Sequence, residues 1–170
     1  MRKLLLNLCL FISLSLIISS CKKDNGESDF YLKIKVNGNW VTYDQAYCEL
    51  GPDLGDPSLT DFVVNGGNDN ELMSLSIQST GDIVPGSYNT GAVSPPYYML
   101  VDYWKISQTD IQVFDHYGPG TGVDPFYTLN ITSISAKEVR GNFTGNYLYN
   151  SSEDESILIT EGEFVAQRID

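Results

Sequence analysis

Histidine, cysteine and basic residues are all scarce in this sequence. It contains one histidine, three cysteines and ten lysines and arginines, against 22 acidic residues. A Ser-His-Asp site would need His116 as its base, and no Gly-x-Ser-x-Gly turn supplies a nucleophile for it. Zinc sites draw on several Cys and His ligands, and only Cys48 and His116 are left if Cys9 is removed with a signal peptide and Cys21 carries a lipid. We therefore expect no catalytic residue, no bound metal and no other cofactor.

Acidic residues are the one abundant group of possible metal ligands. Calcium needs only oxygen ligands, and five acids lie in or near loop-like stretches: Asp53, Asp56, Asp61, Asp69 and Glu71. Their spacing matches no EF-hand loop, so we favour the simpler interpretation that the loops of an acidic protein carry carboxylates. Paired carboxylates can also hydrolyse glycosides, but 22 acids provide such pairs by chance.

The first 20 residues have the layout of a secretory signal peptide. Arg2 and Lys3 precede an apolar run from Leu4 to Ile18. This run is shorter than the roughly 20 apolar residues of a membrane-spanning helix. We predict that residues 1–20 are a signal peptide that is removed.

A cysteine follows this segment directly. Ile18-Ser19-Ser20-Cys21 resembles a lipobox, which predicts acylation of Cys21; an ordinary signal peptide with a coincidental cysteine is the alternative. Two or more acyl chains anchor a protein stably where one is marginal. Residues 21–29 would then be a flexible polar tether. The lipid bilayer becomes a partner through Cys21, at the outer membrane or cell surface, with a periplasm-facing anchor as the alternative.

Removal of the signal peptide leaves few cations and one unmodified cysteine. Eight basic residues then stand against 22 acidic ones, a net charge of about −14. Duplex nucleic acids require clustered Lys and Arg, so we exclude nucleic acid as a partner. Cys48 has no cysteine left to pair with, and we expect a small buried hydrophobe rather than a reactive thiol.

After residue 29 no apolar pattern of helical spacing persists beyond a turn or two; alternation recurs instead. Asn37-Gly38 suits a type I′ turn, which predicts a hairpin whose second strand covers residues 39–49. The apolar face of the final run changes across Gly162, which predicts a β-bulge. Residues 30–170 therefore predict a single all-β domain: an antiparallel β-sandwich of about 8–10 short strands with a C-terminal meander, or alternatively an open barrel.

Three stretches carry a resemblance to a known family. They are residues 30–40 (FYLKIKVNGNW), residues 85–88 (PGSY) and an ending that includes LNIT at 129–132, VRGNF at 139–143 and ITEGEF at 159–164. Together they resemble the uncharacterised β-sandwich lipoproteins of the Bacteroidota, over most of residues 30–168. The shared motifs are turn glycines and core aromatics. The resemblance therefore implies a fold and an envelope location, and supplies no catalytic residue.

Aromatic residues concentrate in the middle of the chain. As possible ligand-binding residues we single out Tyr97, Tyr98, Tyr103, Trp104, Tyr117 and Tyr127. Flat rings with polar edges suit sugar or protein surfaces, although aromatic residues are also preferred inside strands, and core packing is the favoured alternative. We expect a membrane-anchored, non-catalytic binding module for a glycan or an envelope protein. A structural component of an envelope complex and a small hydrolase are the alternatives.

Overall fold

The computed structural model describes residues 29–90, 96–107, 110–115, 127–150 and 153–169. Within them the chain forms twelve strands and no helix. The strands are β1 (Tyr31–Val36), β2 (Asn39–Tyr43), β3 (Ala46–Pro52), β4 (Thr60–Gly67), β5 (Glu71–Ser79), β6 (Gly86–Asn89), β7 (Tyr97–Ile106), β8 (Ile111–Asp115), β9 (Thr128–Ile134), β10 (Glu138–Thr144), β11 (Tyr147–Asn150) and β12 (Glu155–Arg168).

Hydrogen bonds connect all the strands into one sheet. Its order is β11-β8-β7-β5-β4-β3-β12-β10-β9-β6, with β1 between β12 and β2 and an added pairing of β11 with β12. All pairs are antiparallel except β12 with β3, and the sheet is not closed into a barrel. The all-β class and the C-terminal meander of β9, β10 and β12 are confirmed. The strand count exceeds the expected 8–10, and the division into two layers of a sandwich stays a prediction.

The first hairpin has the predicted turn but a shorter second strand. Asn37 and Gly38 both take positive φ angles, 49° and 83°, as a type I′ turn requires. The strand expected over residues 39–49 is interrupted by a bend at Asp44, with β2 before it and β3 after it. The interruption arises because the two halves have different partners: β2 pairs with β1, whereas β3 pairs with β4.

The last strand contains the predicted bulge. Ile34 pairs with Gly162, but Val36 pairs with Ile159, so β12 has one residue more than β1 in this interval. Buried positions change accordingly from Ile157 and Ile159 to Gly162, Phe164 and Ala166. The extra residue reverses the facing of all that follow.

A continuous apolar core lies behind the strands. Its largest fully buried side chains are Tyr43, Tyr103, Tyr127, Phe62, Phe143, Phe164, Leu32, Ile34, Met73, Leu75 and Ile77. The side chain of Leu32 on β1 fills the space beside Gly66 on β4, although these strands do not pair. Cys48 is fully buried among these residues, which confirms the expectation of a small core hydrophobe.

Candidate functional site

Strand β7 places alternate side chains inside and outside the domain. Met99, Val101 and Tyr103 are buried. Tyr98 is 75% exposed and Leu100 is 53% exposed. Successive side chains of a strand point to opposite faces, so Tyr98, Leu100, Asp102 and Trp104 share the outer side of the sheet.

The neighbouring strands extend this outer surface. Trp104 lies directly opposite Leu72 on β5 and Val113 on β8, and Ile106 lies opposite Ile111. Ile111 is 62% exposed and Val113 is 38% exposed. We call the outward side of β5, β7 and β8 the ring face; it consists of Leu72, Ser74, Ser76, Gln78, Tyr98, Leu100, Asp102, Trp104, Ile106, Ile111 and Val113.

A polar group adjoins the exposed ring of Tyr98. Gln78 lies opposite Tyr98 on β5, and Asp61 lies opposite Gln78 on β4. The Gln78 amide donates to Asp53 Oδ2 and to Asp61 Oδ1, both at 3.2 Å. Hydrogen-bond acceptors and an amide therefore stand beside an aromatic platform.

The two carboxylates of this group differ in their pKa. Partial burial, then a hydrogen bond to Asp53, raises the pKa of Asp61 above its ordinary value. The pKa of Asp53 is lowered, because hydrogen bonds from the backbone N–H groups of Asp56 and Gly55 stabilise its charged form. The Gly55 N–H donates to Asp53 at 2.7 Å. The rim of the ring face thus has one carboxylate held ionised and one that takes up a proton more readily.

The six aromatic residues predicted from the sequence do not form one surface. Tyr103 and Tyr127 are fully buried, so core packing is the correct interpretation for both. The Tyr127 ring packs against Gly145, and its hydroxyl donates to the Asn146 carbonyl oxygen at 2.9 Å. Burial raises the pKa of both tyrosines, and Glu71 raises that of Tyr103 further.

Of the remaining predicted residues, Tyr97 packs at the edge of the core, whereas two others lie on the outer surface. Tyr97 is half-buried, stacks edge-on with Tyr88 at 5.1 Å between centroids, and accepts the Asn89 N–H at 3.2 Å. Tyr98 and the half-buried Trp104 are the two that belong to the ring face. Tyr117, His116 and the lipidation residue Cys21 lie outside the described residues.

Several residues of the ring face were missed from the sequence. Leu100, Ile111 and Val113 are apolar and do not belong to the aromatic cluster from which the candidate residues were chosen. The signal was present in the alternation of β7, because a buried Val101 and Tyr103 force Leu100 and Trp104 outward. Gln78 and Asp61 had no such signal, since their approach to Tyr98 depends on the pairing of β4, β5 and β7.

The loop acids that could have supplied oxygen ligands for calcium lie in different surroundings. Asp53 and Asp61 share Gln78, whereas Asp56 accepts the hydroxyl of Ser58 at 2.6 Å. Glu71 accepts a hydrogen bond from the Tyr43 hydroxyl at 3.2 Å. Within the described ranges, no group of three or more His, Cys, Asp or Glu side chains could hold a metal ion.

Comparison with known proteins adds no relative. No family model, no curated protein and no solved structure matches the chain. In the part of the chain that the structure describes, no helix is long and apolar enough to cross a bilayer.

Proposed function

We propose that this chain is a lipid-anchored cell-envelope protein whose β domain is a non-catalytic binding module for a glycan. The anchor is the acylated Cys21, and the ligand surface is the ring face. The observation that carries the proposal is Tyr98, a 75% exposed ring beside the polar group of Gln78, Asp53 and Asp61.

This combination of groups suits the chemistry of a sugar ring. A pyranose has apolar C–H faces that stack on aromatic rings and hydroxyl edges that form hydrogen bonds. Aromatic side chains provide a rigid apolar surface with a polar edge, and ionised carboxylates accept hydrogen bonds from hydroxyl donors. The Tyr98 ring and the neighbouring Gln78 and Asp61 provide both kinds of contact on adjacent strands.

The charge of the face favours a ligand without negative charge. Asp61 and Asp102 lie on it or at its rim, and none of the described outward residues of β3, β4, β5, β7 and β8 is Lys or Arg. The mature chain carries a net charge of about −14. Anionic polysaccharides are repelled by such a surface, whereas neutral sugars are not.

Binding is tested on the full-length acylated protein in lipid nanodiscs against an array of neutral and anionic glycans. Tyr98→Ala should abolish most of the signal from neutral glycans. Trp40→Ala is the control, because Trp40 is also an exposed strand aromatic but lies on β2, which in the described part of the chain pairs only with β1 and is not a neighbour of the ring-face strands. A blank array, or equal loss from both variants, would contradict the glycan assignment.

The anchor is tested separately by mass spectrometry of the mature N-terminus. We expect fatty acids on Cys21 and their loss in Cys21→Ser, with the variant released from the membrane fraction. A mature chain without fatty acid would remove the lipoprotein part of the proposal and leave the binding surface untouched.

A further inference from the structure

The ring face has a second aromatic residue in line with Tyr98. Tyr98 and Trp104 lie on the same side of β7, six positions apart. A strand rises about 3.3 Å per residue, which places the two Cα atoms about 20 Å apart. One monosaccharide cannot contact both rings, whereas an extended chain of several sugar units can.

Two outward residues of β7, one apolar and one charged, lie between the two rings. Leu100 is exposed and adds an apolar step, while Asp102 follows with a carboxylate. Across the strand, Ser76 lies opposite Leu100 and Ser74 lies opposite Asp102. Ser74 is buried and Ser76 is half-buried, so the path from Tyr98 to Trp104 offers apolar surface along β7 and the Ser76 hydroxyl along β5.

The surface around Trp104, at one end of this path, is apolar. Leu72 and Val113 are its direct cross-strand neighbours, and directly opposed side chains lie about 5 Å apart. The surface around Tyr98 is more polar, since Gln78 lies opposite it on β5 and Asp61 lies opposite Gln78 on β4. A chain bound along β7 would thus have one end held by stacking alone and the other by stacking together with hydrogen bonds.

From this arrangement we infer that the ring face binds an extended, uncharged glycan chain lengthwise along β7, with Tyr98 and Trp104 as two separate stacking subsites. The inference rests on the proposed glycan-binding function and goes beyond it by fixing the form and minimum length of the ligand. Among the described residues, carboxylates and the Ser76 hydroxyl line the path and none is a cation, so the sugar hydroxyls act as the donors to Asp61 and Asp102.

Affinity as a function of chain length tests this arrangement. The full-length acylated protein in nanodiscs is titrated with oligomers of glucose, mannose and N-acetylglucosamine, from disaccharide to hexasaccharide, with a sulfated oligosaccharide as the anionic probe. For a neutral series that binds, affinity should rise with length until both rings are engaged. Trp104→Ala should lower the affinity for the longest oligomer by roughly two- to tenfold and leave that for the disaccharide unchanged.

Two control variants protect the test from a folding artefact. Trp104→Phe keeps a stacking ring and should retain most of the dependence on length. Trp40→Ala removes the other tryptophan, which lies on β2 away from the ring face, and should change no affinity. Unfolding curves of all variants establish that each is folded.

The outcomes separate the inference from the function on which it rests. Equal affinity for short and long oligomers, or equal loss of both in Trp104→Ala, would overturn the lengthwise arrangement while glycan binding stands. Tighter binding of the sulfated probe than of the neutral series would also overturn it. Failure of every oligomer to bind would overturn the proposed function together with this inference.

Discussion

Two outer surfaces of the domain arise from the same alternation of strand side chains, but one carries apolar and aromatic residues and the other carries ion pairs. The ring face presents Tyr98, Leu100, Trp104, Ile111 and Val113 to solvent. The outer side of β1, β2 and β12, which we call the ion-pair face, presents lysines opposite glutamates. Lys35 pairs with Glu161 at 2.8 Å and Lys33 with Glu163 at 3.7 Å.

An exposed aromatic residue also occurs on the ion-pair face, but its surroundings differ. Trp40 is 48% exposed, and the ammonium groups of Lys33 and Lys35 lie 4.6 and 5.6 Å from its ring centroid. The two ammonium groups form cation–π contacts with the Trp40 ring. Tyr98 has an amide and carboxylates beside it instead. Exposure of a ring is thus not sufficient to indicate a binding site, and the side chains around it decide.

Removal of the core tyrosine that lies behind the ring face should destabilise the domain. Tyr103 is fully buried on the inner side of β7, between the outward residues Asp102 and Trp104. Tyr103→Ala should lower the free energy of unfolding by about 3–5 kcal/mol, because a large aromatic side chain leaves a cavity. Tyr98→Ala, the exposed control on the same strand, should change it by less than about 0.5 kcal/mol. Chemical denaturation measures both, and similar losses would contradict the inward and outward assignment.

Behind the ion-pair face, a glycine of β12 leaves no room for a side chain. Gly162 lies between Glu161 and Glu163, and a Cβ there would collide with the Phe143 ring and approach the Lys33 carbonyl oxygen to 2.7 Å. Gly162→Ala should lower the free energy of unfolding by about 1–3 kcal/mol through overpacking. Gly51→Ala is the control, since a Cβ added at Gly51 would have nothing within 4 Å. A neutral Gly162→Ala variant would show that β12 tolerates a side chain at the bulge.

The contacts of Lys33 and Lys35 with the Trp40 ring should make a smaller contribution to the stability of the ion-pair face. Trp40→Ala removes two cation–π contacts and should lower the free energy of unfolding by about 1 kcal/mol. Trp40→Phe keeps a ring under the ammonium groups and should lose less. High salt should reduce the difference between wild type and Trp40→Ala, because exposed charges are screened. A loss that is unchanged by salt would assign the effect to packing.

Sequence patterns predicted the inner residues of these faces better than the outer ones. Inward alternation and the turn at Asn37-Gly38 depend on local chemistry, and both are confirmed. The break at Asp44 was missed because it depends on which strand each half joins, and strand partners are set by contacts distant in sequence. The true number of strands was underestimated for the same reason.

The candidate site shows the same limit. Clustering along the chain brought Tyr97, Tyr98, Tyr103 and Trp104 together as one group, although alternate residues of a strand cannot share a face. Tyr98 and Trp104 could have been separated from Tyr103 by that rule alone. Gln78, Asp53 and Asp61 could not have been added, because three loops or strands meet only through the pairings of the sheet.

The smallest expected effect concerns the rim of the ring face, where Asp61 and Asp53 share Gln78. Burial and the bond to Asp53 raise the pKa of Asp61, so its folded pKa exceeds its unfolded one. Such a group contributes stability that is fully present below the unfolded pKa and is lost as pH rises through the folded pKa. Asp61→Asn cannot ionise, so its stability relative to wild type should increase as pH rises from about 3 to about 7.

Asp56→Asn is the control of opposite sign. Hydrogen bonds from Ser58 lower the pKa of Asp56, so its contribution is present above the unfolded pKa and is lost as pH falls through the folded one. The Asp56→Asn variant should therefore become less stable relative to wild type as pH rises. Denaturant titrations across this pH range distinguish the two trends. If both variants changed in the same direction, overall charge repulsion would outweigh the local surroundings of the two carboxylates, and the raised pKa assigned to Asp61 would be wrong.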